Sequence, residues 1–416
     1  MKLSRFGTKF TERIGINELM EDLGNALNAG GDMLMLGGGN PSLIPEITDA
    51  LRKQTESILA DGDAFSRMIG IYDTPQGKGA FLEALARLLN EQFNWGVTTE
   101  NIALTHGSQS GFFCLFNMLA GTFDSGRKKR VLFPLTPEYI GYADSGLSPD
   151  FFTAARPDID LLAESLFKYR IDFNAVDIDD SVGAVCLSRP TNPTGNVVTD
   201  EEVATLRALT EKQGIPLIID SAYGTPFPNI IYTEANPVWD ENMIVCMSLS
   251  KFGLPAARTG IVVARREIIK VLSSMTAVLS LAPGSVGPVL AQGLIADHSI
   301  IRLSREVIRP YYERKAHSAV RQLTQELAGI NFRIHKPEGA MFLWLWFPDL
   351  PITCDELYQR LKKRGVLVVP GHYFFPGLQE DWPHKHQCLR VTYAQDDTIV
   401  EKGLAIIADE VKSLMA

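Results

Sequence analysis

Short unbroken apolar runs punctuate the chain between residues 75 and 300: IALT (102–105), VLFP (131–134), AVCLS (184–188), PLIID (216–220), MIVCM (243–247) and GIVVA (260–264). Runs of this length without in–out alternation read as strands covered on both faces. Helix-period segments lie between them. Phe81, Leu82, Leu85, Leu88 and Leu89 share one helical face, and GSQSGFFCLFNML (107–119) reads as a turn opening into a helix. Strands alternating with helices predict an α/β fold with a mainly parallel sheet. In such sheets ligands gather outside the strands' C-terminal ends.

Past residue 300 the texture changes. A helical stretch over about 301–328 precedes FRIH (332–335), MFLWLWF (341–347) and LRVTY (389–393). Val400, Leu404, Ile407, Val411 and Leu414 make one apolar stripe on a terminal helix. These elements predict a smaller α+β domain over 301–416, following a large domain over 41–300. An N-terminal segment over 1–40 is expected to pack with the small domain and the entrance of the site. Ile16, Leu19, Met20 and Leu23 place a short helix within it.

Composition narrows the class without naming a function. A chain of 416 residues exceeds one simple core, and 45% hydrophobic with 21% charged residues is ordinary for a globular protein. A net charge of -9 argues against a nucleic-acid surface, and RKKR (127–130) reads as a solvated loop. The cysteines Cys114, Cys186, Cys246, Cys354 and Cys388 form no C-x-x-C pair, which suits a reducing compartment; Cys186 and Cys246 sit in apolar runs as core residues. MKLSRFGTKF lacks a signal-peptide core, and no run approaches the ~20 apolar residues of a membrane span. The expectation is a cytoplasmic protein with no nucleic-acid or membrane partner.

Chemistry concentrates where strands end. GSQSG (107–111) offers N–H groups and hydroxyls at a helix start, a phosphate site or an ordinary capped helix. SRPTNPTGN (188–196) is a rigid turn that can present the Asn192 amide or serve structure alone. Asp220 closes the buried run PLIID and needs a positive partner, either a ligand cation or an arginine. Lys251 follows the apolar strand in MSLSKFGLPAARTG (247–260), either snorkelling or as a desolvated amine able to bond a carbonyl carbon; Ser248 and Arg258 flank it with phosphate-binding groups. With the aromatic loop PEYIGY (137–142), this set is what pyridoxal 5′-phosphate requires.

These stretches resemble the class I/II aminotransferases of pyridoxal-phosphate fold type I. LGGGNP (36–41), YDTPQG (72–77), GSQSGF (107–112), PEY (137–139), NPTG (192–195), DSAY (220–223), SLSKFGLPAAR (248–258) and LRVTY (389–393) occur in family order along the chain. The resemblance implies a large domain built on a mainly parallel seven-stranded sheet. It implies Lys251 as the residue that bonds the cofactor's aldehyde carbon and moves the substrate's proton. Asp220 would face the pyridine nitrogen, while Asn192 and Tyr223 would bind the phenolic oxygen. Tyr139 would stack on the ring, with Tyr142 as the competing aromatic. Ser108, Gln109, Ser248 and Arg258 would hold the phosphate, joined by Tyr72 from the partner of a homodimer. Arg390 would take the substrate carboxylate, with Gly39 and Asn192 beside it.

The resemblance further points to valine and alanine as donors, with pyruvate and 2-oxoisovalerate as keto partners. No motif marks a second arginine for a distal carboxylate. Ile16, Tyr72 and the Phe374–Phe375 loop are expected to wall an aliphatic pocket. A β-eliminating C–S lyase or a broader aliphatic aminotransferase shares most of these residues, and a ligand-sensing module is the more distant alternative. His106 beside the phosphate turn, and His372, His384 and His386 near Cys388, are expected to be structural or solvated, not catalytic or metal-binding.

Overall fold

The computed structural model describes residues 2–11, 24, 33–163 and 165–415. The large sheet runs in the order Ile102–His106, Thr259–Val263, Met243–Ser248, Leu217–Asp220, Val182–Ser188, Lys128–Phe133. All but Thr259–Val263 point the same way in this row. Two further strands attach to Lys128–Phe133: Phe152–Ala154, parallel, and Gly121–Thr122, antiparallel. That makes eight strands where the resemblance implies seven. The last two are three and two residues long, too short to leave an apolar run in the sequence.

Every residue of Val182–Ser188 is buried, the reason AVCLS shows no alternation. Ala184 and Cys186 face Phe112 and Phe116 of the helix Gly107–Leu119, while Val185 and Leu187 face Val203 and Leu206 of the helix Asp200–Gln213. Removing a fully buried ring such as Phe116 costs about 3–5 kcal/mol, so this helix is held firmly against the sheet. Its first turn therefore sits at a fixed height above the sheet's C-terminal edge.

A second sheet of six strands runs Val369–Pro370, Cys388–Thr392, Phe342–Trp346, Arg333–His335, Leu166–Arg170, Asp158–Leu161. Its last two strands come from before residue 300: Leu166–Arg170 pairs parallel with Arg333–His335, so one hairpin crosses the division expected at 300/301. This hairpin reaches toward the turn that carries Asn192. The buried Lys168 donates to Asn196 Oδ1 (3.0 Å) and Val197 O (3.1 Å), and it pairs with Glu338, whose Oε2 accepts from Val197 N–H at 3.1 Å. The expected helix near 301–328 is present as Ser299–Leu303 and Arg309–Glu326, joined through a π turn at Ser304–Ile308.

Near the N-terminus, Lys9 of the helix Arg5–Lys9 donates to the carbonyls of Asp144 (2.6 Å) and Gly146 (2.8 Å). Leu34–Met35 pairs parallel with Val366–Leu367, which carries the LGGGNP stretch to the junction of the two sheets. The helix expected at Ile16, Leu19, Met20 and Leu23 lies outside the described residues. No helix among the described residues is long and apolar enough to cross a membrane.

Candidate active site

A cavity of about 210 Å³ opens between the sheets, at the C-terminal ends of the parallel strands. Lys251, Asp220, Asn192, Tyr223, Tyr139, Ser108, Gln109, Ser248, Arg258, Gly39 and Arg390 all line it. Tyr72 does not: its side chain points outward, with 83% of its surface exposed.

One end of the cavity is an anion cup. Arg258 takes a left-handed backbone conformation, φ 47°, directly before the strand Thr259–Val263. Its guanidinium lies across Gly107, where an added Cβ would come within 2.2 Å of Nη2. Gly107 itself has φ +76° and opens the helix that presents the Ser108 and Gln109 N–H groups. The free N–H groups of a helix start, a guanidinium and the Ser248 hydroxyl converge here. This donor set suits a phosphate.

Lys251 stands mid-cavity. Its Nζ donates to Gly39 O at 2.6 Å and lies 5.3 Å from the centre of the Tyr223 ring. Burial, with Arg390 and Arg258 nearby, pulls its pKa down to about 8, against the pull of Asp220. Asp220 lies at the end of Leu217–Asp220 and is 8% exposed. It accepts from Tyr142 Oη at 2.5 Å and from Ala222 N–H at 2.8 Å. Burial nevertheless raises its pKa above the ordinary carboxylate range.

The two tyrosines of PEYIGY separate cleanly. Tyr139 lines the cavity, whereas Tyr142 is fully buried against Phe112, Phe116 and Phe133, with its hydroxyl on Asp220. Of these two, Tyr139 is the one that presents its ring to the cavity.

At the other end, Arg390 is 3% exposed and has no carboxylate partner among the described residues. Its Nη1 donates to Asn192 Oδ1 and its Nη2 to Gly37 O, both at 2.7 Å, while Nε meets no acceptor among the described residues. Phe342 and Phe374 flank the guanidinium, with ring centres at 4.3 and 5.1 Å. Burial draws its pKa down to about 10. A buried cation held by neutral acceptors alone is costly until an anion reaches it. Among the residues that line the cavity, Lys251, Arg258 and Arg390 are the cations.

Phe374 and Phe375 do not wall the cavity as the sequence suggested. Phe374 packs on Arg390 and Trp344, and Phe375 packs on Trp344 and Trp382. Ile16 lies outside the described residues. His106 contacts Ala282 O at 3.0 Å, and His384 is buried against Trp382 and Tyr169. Sequence reasoning passed over Glu138 and Ser188. An acid inside the apolar stretch LFPLTPEYIGY was the available signal for Glu138. Ser188 lines the cavity, while Glu138 lies behind it.

The family model described as aminotransferase class I and II matches residues 32–407. The chain belongs to this family. Pyridoxal 5′-phosphate is its cofactor, and the anion cup, the lysine of depressed pKa and the buried Asp220 fit that molecule's phosphate, aldehyde and pyridine nitrogen. The chain is 51% identical to the valine–pyruvate aminotransferase of Escherichia coli (strain K12) over 416 residues, 100% of this chain and 99% of that one. A crystal structure of valine-pyruvate aminotransferase from Salmonella typhimurium LT2 aligns with TM-score 0.89 at 49% identity, covering 96% of this chain and 99% of that one. A putative amino-acid aminotransferase from Psychrobacter arcticum 273-4 aligns with TM-score 0.98 at 46% identity, over 100% and 99% of the two chains.

Proposed function

We propose that this aminotransferase exchanges amino groups between small aliphatic amino acids and 2-oxo acids. Valine and alanine are the donors, and pyruvate and 2-oxoisovalerate the acceptors. The observation that carries the reading is Arg390, a buried guanidinium that has, among the described residues, one unpaired N–H and no carboxylate partner. It supplies the planar fork a substrate α-carboxylate needs. The other two lining cations have other work, Arg258 at the anion cup and Lys251 mid-cavity, which leaves none among the described residues for a distal carboxylate. The aliphatic choice follows the 51% identity to the Escherichia coli enzyme.

When bound, pyridoxal 5′-phosphate supplies an aldehyde carbon and an electron-withdrawing ring that makes the amino acid's Cα–H acidic. The chain's own groups do the rest. Ser108, Gln109, Ser248 and Arg258 would hold the phosphate. Tyr139 would lie against the ring, and Asp220, kept as an anion, would favour a protonated ring nitrogen. Asn192 spends its carbonyl oxygen on Arg390, which leaves Nδ2 to donate toward the cavity. Tyr223 shares that task. Lys251 has a pKa near 8, so about a tenth is a neutral amine at pH 7, able to take a proton from Cα and return it. Gly39 O stands 2.6 Å from Nζ to steady the resulting ammonium.

A cytoplasmic homodimer completes the reading. Five buried free cysteines suit a reducing compartment. Ile69, Ile71, Tyr72, Val278 and Leu281 are each more than 60% exposed, and Asp73 accepts from Ser285 Oγ at 2.6 Å to tie their two segments together. An exposed apolar face of this kind fits a second copy of the chain. The test of substrate class is a matrix of amino donors against 2-oxo acids, scored by keto-acid product. Transfer from valine or alanine to 2-oxo acids supports the reading. Preference for aspartate or glutamate, or release of ammonia from a cysteine conjugate without an acceptor, overturns it.

A further inference from the structure

Glu138 is a second buried acid, 1% exposed, for which the transfer reaction gives no task. Its Oε1 accepts from Ser188 N–H at 2.7 Å, and its Oε2 lies 2.6 Å from Ser188 Oγ and 3.2 Å from Tyr139 N. Ser188 Oγ makes a longer contact, 3.4 Å, to Tyr142 Oη. Tyr142 in turn donates to Asp220 Oδ2 at 2.5 Å. Two carboxyl groups are thus joined through two hydroxyls, with Asp220 at the cavity and Glu138 buried behind it.

The proton count along this row is informative. A serine or tyrosine hydroxyl has one proton to give. Tyr142 spends its proton on Asp220. Were Glu138 ionised, Ser188 would spend its proton on Glu138, and the Ser188–Tyr142 contact would set two oxygens together with no proton between them. With a proton on Glu138 the row closes: Glu138 donates to Ser188, Ser188 to Tyr142, and Tyr142 to Asp220. Each contact then holds one proton, and one negative charge stands at the cavity end.

We propose that Glu138 carries the proton that would otherwise sit on Asp220, and through Ser188 and Tyr142 keeps Asp220 an anion facing the cavity. Glu138 is a positioning residue, since it acts through Asp220 and does not line the cavity. The exchange involves a single proton. Run the other way, Glu138 gives its proton to Ser188, Ser188 gives its own to Tyr142, and Tyr142 gives its own to Asp220. That leaves Glu138 charged and Asp220 neutral.

The surroundings favour the first arrangement. Burial raises both carboxyl groups, Glu138 to about 8. Lys251 faces Asp220 and favours its anion, whereas the charged group that acts on Glu138 among the described residues is Asp220 itself, which disfavours a second anion. Arg258 and Arg390 lie across the cavity near Tyr139 and Lys251. Arg189, next to Ser188, is turned away onto Asp200. The remaining ionisable neighbours, Cys186, Cys246, Tyr139 and Tyr223, are pushed up by burial and stay neutral near pH 7.

This inference rests on the reading of Asp220 as the acid facing the cofactor's ring nitrogen, but its measurement stands apart from that reading. Difference infrared spectroscopy of the parent enzyme against Glu138→Gln, with cofactor and without, reports the carbonyl stretch of a protonated carboxyl group. The expected result is a band in the parent at pH 7 that is absent from E138Q and fades as pH rises through about 8. No such band at pH 7, or one that persists in E138Q, overturns the proposal. Glutamine mimics the neutral acid toward Ser188, since its amide can donate to the Ser188 hydroxyl, and gives up only the longer contact from Tyr139 N–H, so E138Q should hold the cofactor more tightly than E138A. Tyr142→Phe should weaken the cofactor about tenfold or more, the loss of a hydrogen bond to the charged Asp220, and Glu138→Ala should weaken it as well, by leaving Ser188 without its partner in the row. Equal weakening in E138Q and E138A also overturns the proposal. Failure of the cofactor reading has a different sign: the parent itself would show no visible absorbance from lysine-bound cofactor.

Discussion

The Arg390 guanidinium donates through Nη1 to the Asn192 Oδ1 at 2.7 Å, a bond that joins the second sheet to the turn following Val182–Ser188. It orients two functional groups at once. It turns the asparagine's donor face toward the cavity, and it holds the guanidinium in one plane before any substrate arrives. Arg390→Lys replaces a fork with a point charge and loses this bond. The variant should lose about 10²-fold in kcat/KM for every amino donor, mostly through KM, as expected for one or two hydrogen bonds to a charged group. Steady-state kinetics with valine, alanine and their keto acids measures it. An equal loss confined to kcat would place Arg390 elsewhere in the reaction.

Lys251 should titrate far below an ordinary lysine. Burial and two guanidinium groups favour its neutral form, so the amine is released from its proton near pH 8 and not near ~10.4. In the cofactor-free chain, the rate of Lys251 labelling by an amine-selective reagent should rise with a midpoint near pH 8, followed by peptide mass spectrometry. Arg390→Met removes one of the two repelling cations and should move that midpoint upward.

Gly107→Ala tests the anion cup. The new methyl would meet Arg258 Nη2 at 2.2 Å, on a backbone with φ +76°. Two costs combine, a strained left-handed alanine of about 1–3 kcal/mol and a displaced guanidinium. The variant should melt at a lower temperature and bind pyridoxal 5′-phosphate at least about tenfold more weakly. Calorimetry and a cofactor titration separate the two effects.

Much of this arrangement was readable before folding, for a physical reason. Strands buried on both faces leave unbroken apolar runs, and the groups that follow them, Asn192, Asp220 and Lys251, inherit one edge of the sheet. What escaped depends on distant pairing. Leu166 meets Ile334 across 168 residues, and nothing in LFKYR says which sheet it joins. Tyr139 and Tyr142 have the same local pattern, and only the Asp220 carboxylate, buried beneath one of them, tells them apart. Phe374 looked like a pocket wall because an aromatic pair near a turn gives no hint of which way it faces.

The chain should lose stability in acid through two buried histidines. Burial lowers both His335 and His384 to about 3, whereas an unfolded histidine titrates near ~6.5. Below ~6.5 the unfolded chain binds protons that the folded chain refuses. Their stabilising contribution is therefore complete above that pH and shrinks as pH falls toward 3, by about 1.4 kcal/mol per pH unit for each. Urea unfolding at pH 7, 6 and 5 should show this slope, and His384→Gln should be less stable at pH 7 yet shallower in acid.

The placement of Tyr72 gives the sharpest test of a shared site. In one chain its ring points outward, beside the exposed Ile69 and Ile71, and does not line its own cavity. If Tyr72 serves the partner's phosphate, defects in Tyr72 and Lys251 should complement across the interface. Take one chain carrying Lys251→Ala and another carrying Tyr72→Phe. In a mixed dimer with shared sites, both defects fall in one cavity, and the other has Lys251 from one chain and Tyr72 from its partner. Remixing the two variants should then create a population with parent-like affinity for pyridoxal 5′-phosphate, trapped on Lys251 by borohydride and counted by mass. Tyr72→Phe alone should show an affinity about tenfold weaker, the cost of one hydrogen bond to a charged group. If each chain used its own Tyr72, every cavity in the mixture would keep one defect. No parent-like population would appear at any mixing ratio, and the outward-pointing tyrosine would have no part in the site.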